Sequence, residues 1–205
     1  MKAKRVFDIL MSLGCLFLMS PFFLLIAIAI LVDDGRPVLF KQQRLGYDGK
    51  QFSIFKFRTM TSGDHSESYN DKQIKINQKV TRPGVLLRKT SLDETPQLLN
   101  ILKGDMSIIG PRPVLPNHLH KYDNYQKQRL GMKPGVTGWA QVNGRHSIPW
   151  SKRIEYDVWY VKNYSFLLDF KILLKTIKVV LFREGVSNNQ TMGEQEDFDD
   201  KRKEK

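Results

Sequence analysis

Asp93 and Glu94 form an adjacent pair of carboxylates just ahead of a short apolar run, and no other stretch of the chain is as well suited to chemistry. Thr95 and Pro96 follow and indicate a helix start, because proline at the first helical position gives up only a donor that would have no partner there. The pair therefore precedes a helix N-terminus, whose free N–H groups favour anions. Such a pair could supply a nucleophile or ligands for a metal ion. A salt-bridged helix cap has the same pattern, and the dipeptide by itself favours the cap.

Basic residues surround the acidic pair in sequence. Arg88 and Lys89 precede it, and Arg112 follows in a rigid Gly-Pro-Arg-Pro turn. Carboxylates held among fixed cations stay ionised, which suits a nucleophile or a metal ligand. Arg145 ends a glycine-rich stretch over residues 133–145. Glycines let a backbone approach a ligand closely, and a guanidinium group pairs with phosphate or carboxylate, although a purely structural loop would look the same.

The overall charge predicts an anionic partner. The chain has 205 residues, with 33 Lys and Arg against 21 Asp and Glu and a formal net charge of +12. Nucleic acid, a lipid surface and phosphorylated metabolites are the candidates. Nucleic acid is disfavoured, because the aromatic residues cluster with apolar segments instead of alternating with basic residues. A single cysteine, Cys15, excludes an intramolecular disulfide and a cysteine-rich zinc site.

An uncharged apolar stretch over residues 9–32 predicts a membrane segment, since about 20 apolar residues cross the hydrocarbon core. Ser20 and Pro21 lie in its middle. Proline interrupts the helical hydrogen bonds, so each limb is about 11 or 12 residues, or roughly 17 Å, and neither limb spans the membrane alone. Basic residues flank both ends and prefer the cytoplasmic side. We therefore predict a re-entrant helix hairpin with its break at Ser20 and Pro21; a single proline-kinked span is the alternative.

The remaining patterns predict an α+β protein that is mainly α-helical with a small β-hairpin. The hairpin lies over residues 38–57, with Lys56 and Arg58 alternating with Phe55 and Phe57. A polar loop over residues 61–79 follows. Residues 166–182 place three lysines on one face of an apolar helix, as in a helix that lies in the membrane interface; a core helix with a lysine ridge is the alternative. We divide the chain into a re-entrant anchor (1–34), a catalytic domain with interfacial C-terminal helices (35–186) and a disordered tail (187–205).

Six ordered motifs resemble the bacterial sugar transferases, the small monotopic phosphoglycosyl transferases that begin glycan assembly on polyprenyl phosphate. Each motif is weak alone, but the ordered set is specific and extends over residues 4–186. The motifs are KRVFD at 4–8 ahead of the apolar run broken at Ser20 and Pro21, FKFRTM at 55–60, RKTSLDE at 88–94, KGDMS at 103–107, GPRP at 110–113 and PGVTGWAQVNGR at 134–145.

The resemblance implies that a UDP-sugar gives its sugar 1-phosphate to polyprenyl (undecaprenyl) phosphate and that UMP leaves. Asp93 would be the nucleophile and form an aspartyl–phosphosugar intermediate, since an acyl phosphate is reactive enough to be discharged by the second substrate. Mg²⁺ would neutralise the diphosphate, with Asp93 and Glu94 as its protein ligands. The cations implied for the phosphates are Arg88, Arg112 and Arg145, with Lys56 as a weaker candidate. Asp105 and Asp169 are expected to be structural partners of these arginines.

The resemblance also implies a place at the bacterial inner (cytoplasmic) membrane, with the catalytic domain on the cytoplasmic face. The reaction would be the first membrane step of polysaccharide biosynthesis, such as that of a capsule or exopolysaccharide. The implied partners are the UDP-sugar, the polyprenyl phosphate and membrane lipid, without nucleic acid, and self-association into a homo-oligomer is left open. Two other functions fit the charge pattern: a Mg²⁺-dependent hydrolase of lipid-linked diphosphates, and a non-catalytic basic module that docks on membranes.

Overall fold

The computed structural model describes residues 2–61, 79–144 and 148–182. Arg145, almost all of the predicted loop over residues 61–79 and the predicted tail lie outside these residues. The described elements confirm a mainly α-helical protein with a small antiparallel hairpin. The helices are α1 (Lys2–Asp34), α2 (Arg82–Thr90), α3 (Gln97–Lys103), α4 (Asn124–Lys127), α5 (Trp139–Val142), α6 (Trp150–Lys162) and α7 (Phe166–Phe182). The strands are β1 (Leu39–Leu45), β2 (Gln51–Phe57), β3 (Ser107–Ile109) and β4 (Gly135–Thr137).

Helix α1 is the one helix in the described ranges that is long and apolar enough to cross a membrane. Its most apolar 18-residue window has a mean hydropathy of 2.8, and only 6 % of that window is buried within the protein. A helix in the core of a soluble domain would be mostly buried, so this exposed apolar surface indicates membrane association.

The predicted break in this helix is wrong in one respect, because α1 continues through Ser20 and Pro21 as a single helical element. Pro21 has no N–H group, so the carbonyl of Phe17 loses its usual partner one turn later. The hydroxyl of Ser20 donates to that carbonyl at 2.8 Å and replaces the missing bond. The serine therefore compensates for the proline, and the pair does not end the helix.

Both ends of α1 are tied to the same polar domain. Near its start, Lys4 pairs with Asp169 of α7 at 2.5 Å. Arg5 donates to the carbonyls of Ile101 and Leu102, near the C-terminal end of α3, where a cation is favourable. At its end, Asp34 pairs with Arg58 at 3.0 Å. Both ends of the apolar helix thus contact the same polar domain, which is compatible with the hairpin topology. The course of the helix through a membrane stays a prediction.

The predicted hairpin is confirmed, and it connects α1 to the centre of the domain. Strands β1 and β2 are antiparallel, with Leu39 opposite Phe57 and Leu45 opposite Gln51. Asn100 of α3 holds β2 from the side, because its amide donates to the carbonyl of Ser53 and its oxygen accepts from the N–H of Phe55. These bonds support the strand that carries Lys56.

A second, parallel pair of strands, which the sequence did not predict, holds the chain after the acidic pair. Strand β3 pairs with β4, with Ser107 opposite Gly135 and Ile109 opposite Thr137. The close approach depends on glycine, because a Cβ atom at Gly135 would lie 2.1 Å from the nitrogen of Gly110. This pairing brings the Gly-Pro-Arg-Pro turn and the glycine-rich stretch together.

Helix α7 has an exposed apolar face, which favours the interfacial helix over a core helix with a lysine ridge. Lys171 and Lys178 are exposed beside that face. Lys175 is not part of a free ridge, because it donates to Asn143 at 2.9 Å and lies over the ring of Trp139. The exposed apolar residues of α7 are Phe166, Leu167, Phe170, Leu174 and Ile177.

Candidate active site

The acidic pair lies in a short 3-10 turn, Leu92–Glu94, between α2 and α3. Ser91 ends α2 in the left-handed conformation, with φ 58° and ψ 17°. This unusual backbone for a non-glycine residue turns the chain at once, so that the two carboxylates face inward. Helix α3 begins at Gln97, directly after Pro96, so the predicted position just ahead of a helix is confirmed.

A cavity of about 420 Å³ lies in front of the pair. Its lining includes the α2–α3 connection with Arg112, and residues of α5 and α6 with Arg129. Cys15 and Met19 of α1 also line it. The cavity therefore joins the polar acidic pair to the apolar membrane helix.

Glu94 is the anchored member of the pair. Lys56 Nζ lies 2.7 Å and Arg112 Nη2 lies 3.0 Å from its Oε1 atom. Burial alone would disfavour the charged form, but the charges of Arg112 and Lys56 outweigh it and hold the pKa of Glu94 far below its usual range. Neither cation contacts Oε2, which makes no hydrogen bond within the described residues. Glu94 is thus a fixed anion that holds two cations at the cavity.

Asp93 differs from its neighbour, because its carboxylate makes no hydrogen bond or ion pair within the described parts of the chain. Burial and then the charge of Glu94 raise the pKa of Asp93, and the cations Lys56, Arg88 and Arg112 oppose this rise without cancelling it. The ionisation of Asp93 among these cations stays a prediction, and its surroundings differ from those of Glu94 because burial outweighs the cations there. An uncommitted, poorly solvated carboxylate is a better nucleophile than one already held by two cations.

The structure brings together five of the six residues that the sequence assigned to the site. Arg88 lines the cavity and is held by a 3.0 Å hydrogen bond from its Nε atom to the hydroxyl of Thr59. Arg112 also lines the cavity. Lys56, the weaker candidate, contacts Glu94 directly. The sixth residue, Arg145, lies outside the described residues, and its role stays a prediction.

A comparison with known protein families identifies the family of this chain. The family model described as bacterial sugar transferase matches residues 1–183. The chain belongs to the bacterial sugar transferase family. The resemblance carried by the six motifs is thereby confirmed, and so is the prediction of a transferase.

Several known relatives resemble this sugar transferase over most of its length. An uncharacterized sugar transferase, EpsL of Bacillus subtilis, is 46 % identical over 183 residues, which are 89 % of each chain. The undecaprenyl-phosphate galactose phosphotransferase of Salmonella typhimurium is 40 % identical, and the match covers 89 % of this chain and 41 % of the relative. A UDP-glucose:undecaprenyl-phosphate glucose-1-phosphate transferase of Klebsiella pneumoniae is 41 % identical over 85 % of this chain and 39 % of the relative. This chain therefore spans about two fifths of the length of the latter two relatives.

The donor set of the sugar transferase fits one mode of Mg²⁺ binding. Within the described residues, no group of three or more His, Cys, Asp or Glu side chains is placed to hold a metal ion. Mg²⁺ commonly binds through one or two carboxylates together with substrate phosphates, and it does not need a cage made by the protein alone. Asp93 and Oε2 of Glu94 match that mode, because both are uncommitted within the described parts of the chain.

Sequence reasoning missed a buried ion pair that supports this site. Arg129 donates to the carboxylate of Asp157, to the hydroxyl of Tyr122 at 2.6 Å and to the carbonyl of Arg112 at 3.1 Å. The last bond fixes the backbone of an arginine that contacts Glu94. A signal was present in the sequence, since Asp157 lies on the same face of α6 as the buried Ile154 and Val158. A carboxylate within an apolar stripe requires a partner.

Proposed function

We propose that this sugar transferase moves a sugar 1-phosphate from a UDP-sugar to polyprenyl (undecaprenyl) phosphate and releases UMP, through a covalent intermediate on Asp93. The observation that carries the proposal is the contrast within the acidic pair. Glu94 is held by Lys56 and Arg112, whereas Asp93 lines the same cavity and has no hydrogen-bond or ion-pair partner among the described residues. The names of the relatives support the choice of a nucleotide sugar and a polyprenyl phosphate as substrates.

In the first step, an oxygen of Asp93 attacks the β-phosphorus of the donor. The bond from that phosphorus to the bridging oxygen breaks, and UMP leaves with the bonding electrons. The cations Arg88, Arg112 and Lys56 stabilise the charge that develops on the phosphate oxygens, because they are fixed before the reaction and need no reorganisation. Mg²⁺ bound by Asp93 and Glu94 would neutralise the diphosphate.

In the second step, a phosphate oxygen of the lipid acceptor attacks the same phosphorus. The acyl phosphate bond breaks, Asp93 is regenerated and the sugar diphosphate remains on the lipid. Glu94 keeps its ion pairs throughout and so holds Lys56 and Arg112 in place for both steps. Cys15 and Met19 line the cavity, which supports entry of the lipid along α1. The donor is a soluble nucleotide sugar, so we place the site on the cytoplasmic face of the bacterial inner membrane.

The test of this proposal uses purified protein, Mg²⁺, UDP-sugars radiolabelled in the sugar, and undecaprenyl phosphate. Transfer moves the label into the organic phase and releases one UMP for each lipid product. A hydrolase would instead release a water-soluble sugar phosphate without needing the lipid acceptor. Formation of that soluble product alone, or no turnover with any UDP-sugar, would contradict the proposal.

The pH dependence of the reaction should report the ionisation of Asp93. The carboxylate must be ionised to attack, so activity falls as the pH decreases through its pKa, which lies above the ordinary value. Glu94→Gln removes a negative neighbour that raises this pKa, so the acid limb of kcat/KM should move to lower pH. Arg88→Gln removes a cation that lowers it, so that limb should move to higher pH. Profiles are measured at one Mg²⁺ concentration, and shifts in the same direction would contradict the assignment.

The predicted hairpin topology of α1 implies that cysteines placed at its start and in the catalytic domain are labelled by a thiol reagent from the same side of the membrane. In a Cys15→Ala background, Ala3→Cys reports the start of α1 and leaves the basic residues intact, and Asp48→Cys reports the exposed hairpin turn. In intact cells, a membrane-impermeant thiol reagent should miss both cysteines, and it should label both after lysis. Labelling of position 3 but not position 48 in intact cells would establish a straight span instead.

A further inference from the structure

The proposed phosphoryl transfer uses the part of the cavity lining around Asp93 and gives no direct role to a second wall, contributed by α5 and α6. That wall is formed by Gln141 of α5 and by Trp150, Arg153 and Asp157 of α6, with Arg129 beside them. It faces the same volume of about 420 Å³ as Asp93. A residue on this wall is therefore placed to contact a substrate held for attack by Asp93.

This wall contains several buried polar atoms that have no hydrogen-bond partner among the described residues. Both side-chain polar atoms of Gln141, Oε1 and Nε2, are buried and make no hydrogen bond in the described part of the chain. The same holds for Oδ1 of Asp157 and Nε of Arg129, whose residues are only 1 % and 2 % exposed. Each such atom costs about 1–3 kcal/mol when left unpaired, so several on one cavity wall indicate that a ligand completes their bonds.

The position of Gln141 is set by its surroundings. A Cβ atom on Gly138 would lie 2.8 Å from Oε1 of Gln141, so the glycine leaves the room that this amide occupies. Helix α5 is held against α7 by the bond from Lys175 to Asn143, and β4 by the bond between the hydroxyls of Thr137 and Thr176. The amide is thus presented by a supported segment.

The unpaired atoms identify the chemistry of the ligand. Gln141 offers an acceptor and two donor hydrogens, Asp157 an acceptor and Arg129 a donor. A phosphate would place a second negative charge beside Asp157, and an apolar group would leave all four atoms unpaired. Hydroxyl groups both donate and accept, so a polyhydroxylated group satisfies the whole set.

We propose that Gln141 and Asp157 form a hydroxyl-binding subsite for the sugar of the donor, and that Gln141 helps to select which sugar is transferred. This inference rests on the proposed function. The sugar is bonded directly to the phosphate that Asp93 attacks, so it must lie in the cavity that contains Asp93. The sugar is joined to that phosphorus through one oxygen, whereas the nucleoside is separated from it by the bridging oxygen and the α-phosphate, so the sugar is the group closer to Asp93.

The experiment compares Gln141→Met, which keeps the length of the side chain and removes its hydrogen bonds, with Gln51→Met, the same change at an exposed glutamine of β2. For each protein, kcat/KM is measured with UDP-glucose, UDP-galactose, UDP-N-acetylglucosamine and UDP-N-acetylgalactosamine. Inhibition by UMP and the thermal unfolding temperature are measured in parallel. Gln51→Met should match the parent protein in every respect.

Gln141→Met should lower kcat/KM for the preferred sugar by about 10- to 100-fold, as expected for the loss of two neutral hydrogen bonds. The ratio between preferred and poor sugars should fall towards one, while inhibition by UMP stays unchanged. The unfolding temperature should stay equal or rise, because the change removes unpaired buried polar atoms; a residue kept for folding would lose stability.

Two results would overturn the inference. An unchanged sugar preference would show that Gln141 does not contact the sugar. Weaker inhibition by UMP with an unchanged sugar preference would assign the subsite to the nucleoside. A failure of the proposed function gives a different result, since the parent protein and Gln51→Met would then both lack transfer with every UDP-sugar.

Discussion

Replacing Asp93 by asparagine is expected to lower the rate of sugar phosphate transfer by a factor on the order of 10⁴ to 10⁶, as for the loss of other enzymatic nucleophiles. The amide keeps the shape of the side chain but has no anionic oxygen to form the bond to phosphorus. Asp93 makes no ion pair or hydrogen bond within the described residues, so the change removes no structural contact there. The measurement is the rate of label transfer to the lipid acceptor under saturating donor.

The matched control for this change is Asp48→Asn. Asp48 is exposed and has a φ of 55°, a conformation that asparagine adopts readily, so the control should keep full activity. Asp93→Asn should also unfold at an equal or higher temperature, because burial raises the pKa of Asp93 and its charged form therefore destabilises the fold at neutral pH. Activity above about 1 % of the parent would contradict a nucleophilic role, since covalent catalysis normally contributes far more.

Replacing Arg129 by methionine is expected to destabilise the protein by about 3–5 kcal/mol, the usual cost of leaving one partner of a buried ion pair alone. Asp157 would keep its burial and lose its cation, and the hydroxyl of Tyr122 and the carbonyl of Arg112 would lose a donor. For a chain of this length, such a loss lowers the unfolding temperature by roughly 6–20 °C. Circular dichroism in detergent micelles would measure the change.

A double variant separates the effect of leaving the Asp157 carboxylate unpaired from the effect of the lost packing of Arg129. Arg129→Met combined with Asp157→Leu removes both charges, and replacing a whole buried pair by apolar residues is often neutral. The double variant should therefore recover most of the lost stability without recovering activity. A single variant as stable as the parent protein would show that the ion pair does not support the fold. A double variant less stable than the single variant would show that the loss of stability comes from packing and not from the unpaired carboxylate of Asp157.

The sequence predicted those parts of the protein that depend on neighbouring residues. The β-hairpin could be predicted because a short turn separates its two strands, so its pattern lies within neighbouring residues. The antiparallel pairing of β1 and β2 confirms it. The acidic pair lies just ahead of α3 as expected, because Pro96 and the apolar run after it define a helix start. Periodicity likewise placed α7 and its exposed apolar face. The family resemblance then added the functional grouping of Asp93 with Arg88 and Arg112, which lie together at the cavity.

The contacts that depend on distant parts of the chain were not predictable from local patterns. Arg58 alternates with apolar residues and would suggest a solvated face, yet it is buried against Asp34 at the end of α1. Asp169 was expected to pair with an arginine, but it pairs with Lys4 and accepts from Tyr160 at 2.6 Å. Asp105 likewise contacts Asn100 instead of an arginine. Such partners are set by the packing of α1 against the domain, which no local pattern encodes.

The most direct test of the central claim is the intact mass of the purified protein after incubation with Mg²⁺ and single UDP-sugars, without lipid acceptor. The account predicts a mass gain equal to one sugar phosphate with the correct donor, release of UMP in equal amount, and loss of both in Asp93→Asn. Addition of undecaprenyl phosphate should then discharge the adduct. An adduct that persists in Asp93→Asn, or transfer to lipid without any adduct, would contradict the covalent role of Asp93.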